Sequence, residues 1–369
     1  MIEINKIYQG NILDVLKTFE DDCIDCIITS PPYFELRSYS DNKEEIGKEE
    51  HPQEYINKIV EITEECMRVL KPTGVMFLNL GDSYGSHRDS KSSSFNIVSK
   101  EKIDSLIVKN RGKSGWFQEK QKLLIPHRIA IALQEKGLII RDDITWLKKI
   151  VIYPDKESIG SCMPFPVLDK LLPATEYIFQ IVKNKKYYFD LESVKTETKN
   201  STIERAMRPL SSTYSRDING NSYVHHKGME SYYNKIKDNY IDDNDNARRT
   251  RTKENLCVGK EDYTNWSVKG IDVSLANPTN ALMFKRMNQN SKKAKQEHFA
   301  SFPISLSDFF VKVGCPINGV VLDPFMGSGT TGLSALRNNR NFIGIELNPK
   351  FIEISYRRMK KYLEQRKLV

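Results

Sequence analysis

Short apolar runs rich in β-branched residues, each followed by helical periodicity, recur at both ends of this 369-residue chain and are missing from its middle. Ile4-Asn5-Lys6-Ile7-Tyr8 reads as a strand, and Leu13, Leu16 and Phe19 as one face of the helix after it. Ile24 to Ile28 reads as a buried strand. Tyr55, Ile59, Ile62, Cys66 and Val69 repeat at helical spacing over 52–70, Lys71-Pro72-Thr73-Gly74 ends that helix, and Val75 to Leu80 is the next strand. Helix and strand signals return at 126–149, and Glu176 to Val182 is an apolar strand. After the gap come a helix over 306–313, a strand at 320–322, a helix over 330–336, a strand at 342–346 and a helix over 349–365. Strands alternating with helices predict an α/β fold with a parallel, doubly wound sheet of Rossmann-like form.

Two of the strands run into unusual loops. Cys26-Ile27-Ile28 leads into Thr29-Ser30-Pro31-Pro32-Tyr33, and Val320-Val321-Leu322 leads into Asp323-Pro324-Phe325-Met326-Gly327-Ser328-Gly329-Thr330-Thr331. Loops at the carboxyl ends of such strands are where open α/β sheets bind ligands. The second loop is a strand, a tight Gly-x-Gly turn and a helix start, which together make a cofactor cradle in which glycines let backbone approach the ligand. Glu346 closes the next strand at a spacing that suits a carboxylate accepting both hydroxyls of a ribose. A P-loop is excluded because no Gly-Lys-Ser/Thr follows. The NAD fingerprint is incomplete because Gly332 falls at the wrong spacing for a third glycine. In the first loop, consecutive prolines fix φ and remove two donors, so the carbonyls of Ser30 and Pro31 are expected to point outward as acceptors. Ser30 adds a hydroxyl and Tyr33 a flat face. Acceptors beside a stacking face suit an exocyclic amine on a planar base.

The formal charge is +8, and it is concentrated. Residues 86–122 carry nine Lys/Arg against four Asp/Glu, residues 191–300 carry 19 against 14, and the remainder is slightly acidic. A basic surface confined to two insertions is what phosphate contacts need. The middle is rich in Asn, Ser, Tyr, Lys and Arg. Trp266 and many tyrosines argue for a small irregular folded region rather than a disordered linker. The six cysteines include one Cys23-x-x-Cys26 spacing with no second pair, so no metal site is expected. Reduced core thiols in a cytoplasmic protein are the reading. No run is long and apolar enough for a membrane span.

In combination these motifs resemble the S-adenosylmethionine-dependent amino-methyltransferases of DNA bases, over most of 1–190 and 298–369. The resemblance rests on Gln9-Gly10-Asn11-Ile12-Leu13, Thr29 to Tyr33, Asp143-Ile144-Thr145-Trp146-Leu147-Lys148, Glu176-Tyr177-Ile178-Phe179 with Tyr187-Tyr188-Phe189-Asp190, His298 to Pro303, the glycine loop, and Ile343 to Asn348. The order of motifs is similar to the β class of that family: catalytic loop first, recognition region in the middle, cofactor loop last. This implies a circularly permuted sheet in which the final helix and first strand are neighbours. The implied organisation is a catalytic half over 1–84 and 126–190, a mobile basic loop over 85–125, a target-recognition region over 191–297 and a cofactor half over 298–369. The Ser-Pro-Pro-Tyr form belongs mostly to cytosine-N4 enzymes, while Asp-Pro-Pro-Tyr is typical of adenine-N6 enzymes. Adenine-N6 methylation is the close rival, and a DNA-binding protein with a dead catalytic loop is the non-enzyme alternative.

The resemblance implies site-specific methylation of double-stranded DNA, as part of a restriction-modification system. The target base is flipped out, stacked on Tyr33, and its amine is held by the Ser30 hydroxyl and Pro31 carbonyl for direct attack at about 3–3.5 Å. Ser30, Pro31, Pro32 and Tyr33 are thus the expected catalytic residues. Asn11, Phe302, Pro303, Asp323, Phe325, Gly327, Ser328, Gly329, Thr330 and Glu346 are the expected cofactor residues. Asn11 departs from the Gly-Asp common in related chains and offers hydrogen bonds without charge. A C5-cytosine mechanism is excluded because no Pro-Cys dipeptide occurs. Trp146 and Lys148 are expected near the target base or DNA strand, with a core role equally open for Trp146. Arg205, Arg208, Arg248, Arg249 and Arg251 are candidates for DNA contact. The resemblance also allows a homodimer, a separate restriction endonuclease acting on the same site, and a cytoplasmic, nucleoid-associated prokaryotic setting.

Overall fold

A computed structural model of the chain describes residues 2–34, 46–49, 51–85, 120–162, 168–197, 214–216, 222–224, 275–284 and 302–366. The chain forms two compact units, Met1–Val194 with Thr279–Val369, and Lys195–Pro278. Residues 86–119 of the proposed basic loop (85–125), the five candidate arginines, Trp266, Cys257 and residues 298–301 lie outside the described residues.

The first unit is built on one eight-stranded sheet. In chain order its strands are β1 (Lys6–Gln9), β2 (Ile24–Thr29), β3 (Leu70–Leu80), β4 (Ile139–Leu147), β7 (Thr175–Val182), β12 (Ala281–Leu282), β13 (Val320–Asp323) and β14 (Asn341–Glu346). A separate hairpin of β5 (Lys149–Ile152) and β6 (Glu157–Gly160) follows β4. The spatial order of the sheet is β1-β14-β13-β2-β3-β7-β4-β12. Strands β1 through β3 in that order are parallel, as the apolar runs predict. The sheet is parallel except at β7, which lies antiparallel between β3 and β4. A continuous apolar run signals burial on both faces but carries no direction, so the reversal is invisible in sequence.

Side-chain alternation sorts the strands onto two cores. Ile27, Met76, Leu78, Leu322 and Ile343 face one side with Leu16, Tyr55, Ile59 and Ile129. Those helical residues come from α1 (Ile12–Leu16), α2 (Pro52–Val69) and α3 (Ile125–Glu135). Cys26, Ile28, Val75, Phe77, Val321 and Phe342 face the other side with Phe310, Leu336 and Met359. These belong to α4 (Ile304–Gly314), α5 (Thr330–Arg337) and α6 (Pro349–Arg366). The sheet is therefore doubly wound. Helix α2 starts cleanly because the His51 side chain accepts from Gln53 N at 3.1 Å and Pro52 fills the first turn, where no donor is needed. Its buried residues Tyr55, Ile56, Ile59, Val60, Ile62, Thr63 and Cys66 follow helical spacing.

The permuted order is visible in the packing. Strand β1 pairs with β14, and the Ile7 amide donates to the Tyr356 hydroxyl of α6 at 2.9 Å, so the first strand and final helix are neighbours. The β5–β6 hairpin carries exposed Val151, Ile152, Tyr153 and Ile159. The sequence does not announce it, because 149–160 lacks a strong two-residue turn signal.

The second unit contains two short antiparallel pairs among its described residues. β8 (Thr196–Glu197) pairs with β11 (Leu275–Ala276), so the unit's two ends lie side by side, and β9 (Tyr214–Arg216) pairs with β10 (Ser222–Val224). Among the described residues no helix is long and apolar enough to cross a membrane.

Candidate active site

The loop after β2 is tied down at Pro32, Tyr33 and Phe34. The Tyr55 hydroxyl donates to the Pro32 carbonyl at 2.9 Å, and the Ser83 hydroxyl donates to the Phe34 carbonyl at 2.7 Å. Phe34 is buried against Tyr55 with ring centroids 5.6 Å apart. Tyr55 thus consumes the Pro32 acceptor, while no described donor reaches the carbonyl of Pro31. Gly81 makes room for the Tyr33 ring, since a Cβ there would overlap a ring carbon. The Tyr33 hydroxyl donates to Glu176 Oε2 at 2.7 Å, and burial and the Glu176 charge push its pKa well above the usual phenol value. Asn79 Nδ2 lies 3.3 Å from Ser30 Oγ, 2.9 Å from Tyr33 Oη and 3.1 Å from Glu176 Oε2. Lys148 Nζ pairs with Glu176 Oε1. Four strand ends, those of β2, β3, β7 and β4, therefore converge on one polar cluster.

Ser30, Tyr33 and Lys148 of this cluster are among the residues expected from the sequence, beside Pro31 and Pro32, while Asn79 and Glu176 are assigned no role there. Asn79 is a lone amide inside Val75–Leu80, and Glu176 belongs to the Glu176-Tyr177-Ile178-Phe179 motif without a role attached to it. Trp146 is a core residue: it is buried in the second cluster, with the Lys148 ammonium 5.0 Å from its ring centroid.

The glycine loop is held differently. Asp323, at the end of β13, accepts from Thr331 Oγ1 at 2.6 Å, from Thr29 Oγ1 at 2.7 Å and from the Phe325 amide at 3.0 Å. Burial pushes its pKa up to about 6, and those three bonds pull the other way. Glu346 Oε2 accepts from the Gly327 amide at 2.8 Å and Oε1 from the Asn348 amide at 2.8 Å. Burial raises its pKa too. Each carboxylate oxygen has capacity for a further donor. Gly327 and Gly329 take φ of +51° and +77°, and a Cβ on Gly329 would lie 2.8 Å from Ser355 Cβ. Helix α5 has Gly329 at its N-cap and no side-chain cap, which leaves its first N–H groups for a ligand. Behind the loop, Arg358 donates to the Ser328 carbonyl, to Ser328 Oγ at 2.8 Å and to Thr330 Oγ1 at 3.2 Å. Ser328 and Thr330 therefore turn their side chains into the protein and present backbone outward.

The remaining sites expected for the cofactor gather at the same edge. The Gly10 amide donates to the Glu346 carbonyl at 3.2 Å, which sets Asn11 beside the end of β14; the Asn11 side chain caps α1 by accepting from Leu13 N at 3.0 Å. Helices α4 and α5 descend together from the carboxyl edge, joined by the Ser334 hydroxyl donating to Asp308 at 2.6 Å, so Phe302 and Pro303 stand at that edge too. Phe325 is part-buried beside the first core. Among the described residues, the bond from Thr29 to Asp323, 294 positions apart in the chain, joins the two loops directly.

A strand-end acid, a glycine turn and a Ser-Pro-Pro-Tyr loop on one edge define an amino-methyltransferase site, and comparison with known proteins agrees. Residues 24–357 match the N6/N4 DNA methylase family, and the chain belongs to it. It is 27% identical to the type II methyltransferase M.Cfr9I of Citrobacter freundii over 97% of this chain and 89% of that protein. It is 26% identical to M.SmaI of Serratia marcescens over 96% and 90%. Among solved structures it is similar to the PvuII DNA methyltransferase (cytosine-N4-specific), with a TM-score of 0.55 and 17% identity, covering 99% of this chain and 92% of that one.

Proposed function

We propose that this DNA methyltransferase transfers a methyl group from S-adenosylmethionine to the exocyclic N4 amine of cytosine in double-stranded DNA, as the modification enzyme of a type II restriction-modification system. The observation that carries the reading is the direct link between the two loops: serine, not aspartate, stands at position 30, one residue from the Thr29–Asp323 bond at 2.7 Å. The cytosine-N4 name of the PvuII neighbour and the type II names of the relatives support the same assignment.

The residues present fit the cofactor. Glu346 has acceptor capacity for a ribose, the turn at Gly327 and Gly329 admits close approach, and the start of α5 offers amides. Asn11, Phe302, Pro303 and Phe325 complete the cradle, while Asp323 shapes it from beneath. Bound S-adenosylmethionine supplies an electrophilic methyl group. The flipped base stacks on Tyr33. The Ser30 hydroxyl and the Pro31 carbonyl accept the two N–H bonds of its amine, drawing the nitrogen lone pair out of conjugation and onto a path toward the methyl.

Nucleoside digestion of DNA incubated with the protein and isotope-labelled S-adenosylmethionine tests this. The label should appear in N4-methylcytosine. Label in N6-methyladenine would overturn the choice of base, and no label in DNA would overturn the activity.

A further inference from the structure

Three polar side chains behind the loop take no direct part in this reading: Asn79, Glu176 and Lys148. Their arrangement gives the hydroxyls of the loop a direction. The Tyr33 hydroxyl donates to Glu176 Oε2 at 2.7 Å, and the Ser30 hydroxyl can donate to Tyr33 Oη at 3.4 Å. A carboxylate accepts only, so a chain that ends on it must run Ser30 to Tyr33 to Glu176. Lys148 occupies the other carboxylate oxygen and holds Glu176 in place.

Asn79 supports the same direction. Its Nδ2 faces three oxygens, those of Ser30, Tyr33 and Glu176. Its Oδ1 is buried without a hydrogen-bond partner. The opposite amide orientation would set Oδ1 about as close to Glu176 Oε2 as Nδ2 now lies, acceptor against acceptor. An orphaned buried acceptor is destabilising, and here that cost secures a donor toward both hydroxyl oxygens. The raised Tyr33 pKa keeps its proton in place to be donated.

We propose that Glu176, held by Lys148, is a positioning residue that fixes the hydroxyl chain so that Ser30 offers the target amine a lone pair rather than a proton. This rests on the methylation reading and deepens it. A Ser30 proton aimed at the amine would compete with that N–H donation, so chain direction bears on turnover rather than on substrate capture.

The test compares kcat and KM for methyl transfer in wild type, Glu176→Gln, Glu176→Asp, Tyr33→Phe and the double variant Glu176→Gln/Tyr33→Phe, with cofactor affinity by calorimetry. Glu176→Gln keeps the shape but introduces an amide that can donate to Tyr33 and so reverse the chain. Tyr33→Phe keeps the stacking ring and removes the middle link. Each single variant should lose roughly 10²-fold in kcat, with KM for DNA and cofactor affinity within about twofold. The double variant should be no worse than either single one, because both break one chain. Glu176→Asp should recover part of the loss.

Turnover within about threefold of wild type in either single variant overturns the proposal, as does a loss confined to KM. Additive losses in the double variant also overturn it. If Glu176→Gln fails to fold, Tyr33→Phe, which deletes a single oxygen, carries the test. If wild type itself labels no exocyclic amine, the methylation reading falls and this proposal with it. If wild type labels cytosine and the variants keep pace, only this proposal falls.

Discussion

The loop at 30–34 draws its restraints from elsewhere in the chain: Tyr55 on α2, Asn79 and Ser83 at and beyond the end of β3, and Glu176 on β7. The loop at 323–331 is restrained mostly by its own neighbourhood, with Asp323 and Glu346, which end the adjacent strands β13 and β14, gripping backbone and hydroxyls and Arg358 closing it from behind. Both sit on one edge of one sheet, yet they answer different demands. A cradle for a cofactor of fixed shape can be encoded locally, by glycines and two strand-end acids. A surface that must orient a reacting amine needs hydroxyl direction as well as position, and direction is set by partners that distant segments contribute.

This contrast should show in how each loop fails. The largest effect is expected for Tyr33→Ala, which removes the stacking face and the central hydroxyl together. Turnover should fall by about 10²–10³-fold, with cofactor affinity within about twofold by calorimetry. Unchanged turnover in a protein that still binds cofactor would remove Tyr33 from the site. Gly329→Ala should do the reverse. A Cβ would meet Ser355 at 2.8 Å in a backbone with φ of +77°, costing about 1–3 kcal/mol and weakening cofactor binding by about tenfold. Preserved affinity would mean that the turn relaxes without harm to the cradle.

Asp323 gives a pH signature specific to the cofactor loop. Its pKa is raised in the fold to about 6, so the protonated form is favoured there. The stability this contributes is full below the ordinary carboxylate range, around pH 4, and is lost as pH rises through about 6, on the order of 3 kcal/mol in all. Between pH 7.5 and 5, wild type should gain melting temperature relative to Asp323→Asn. Parallel pH curves for the two proteins would contradict it. The smallest effect is expected for Tyr55→Phe, which frees the Pro32 carbonyl: about 1 kcal/mol in denaturant unfolding and a few-fold in turnover. An effect on cofactor affinity would show that the loops are less independent than their restraints imply.

The strands were legible because those buried on both faces read as unbroken apolar runs, as at Cys26–Ile28 and Val320–Leu322. The ligand loops were legible because proline and glycine fix the backbone by local rules that leave a local trace. The antiparallel sense of β7 was not, since Glu176–Val182 looks the same in either direction. Nor was the cluster behind Tyr33. Asn79 and Glu176 lie 97 positions apart and become partners only when β3 and β7 pair, so each reads alone as a polar interruption in a strand.

Base-resolved sequencing of DNA from a host expressing the chain, set against a host expressing Tyr33→Ala, tests the central claim most directly. N4-methylcytosine at one recurrent sequence in the first host, and none in the second, is the expected result. Modified adenine at that sequence, or the same pattern in both hosts, would contradict it.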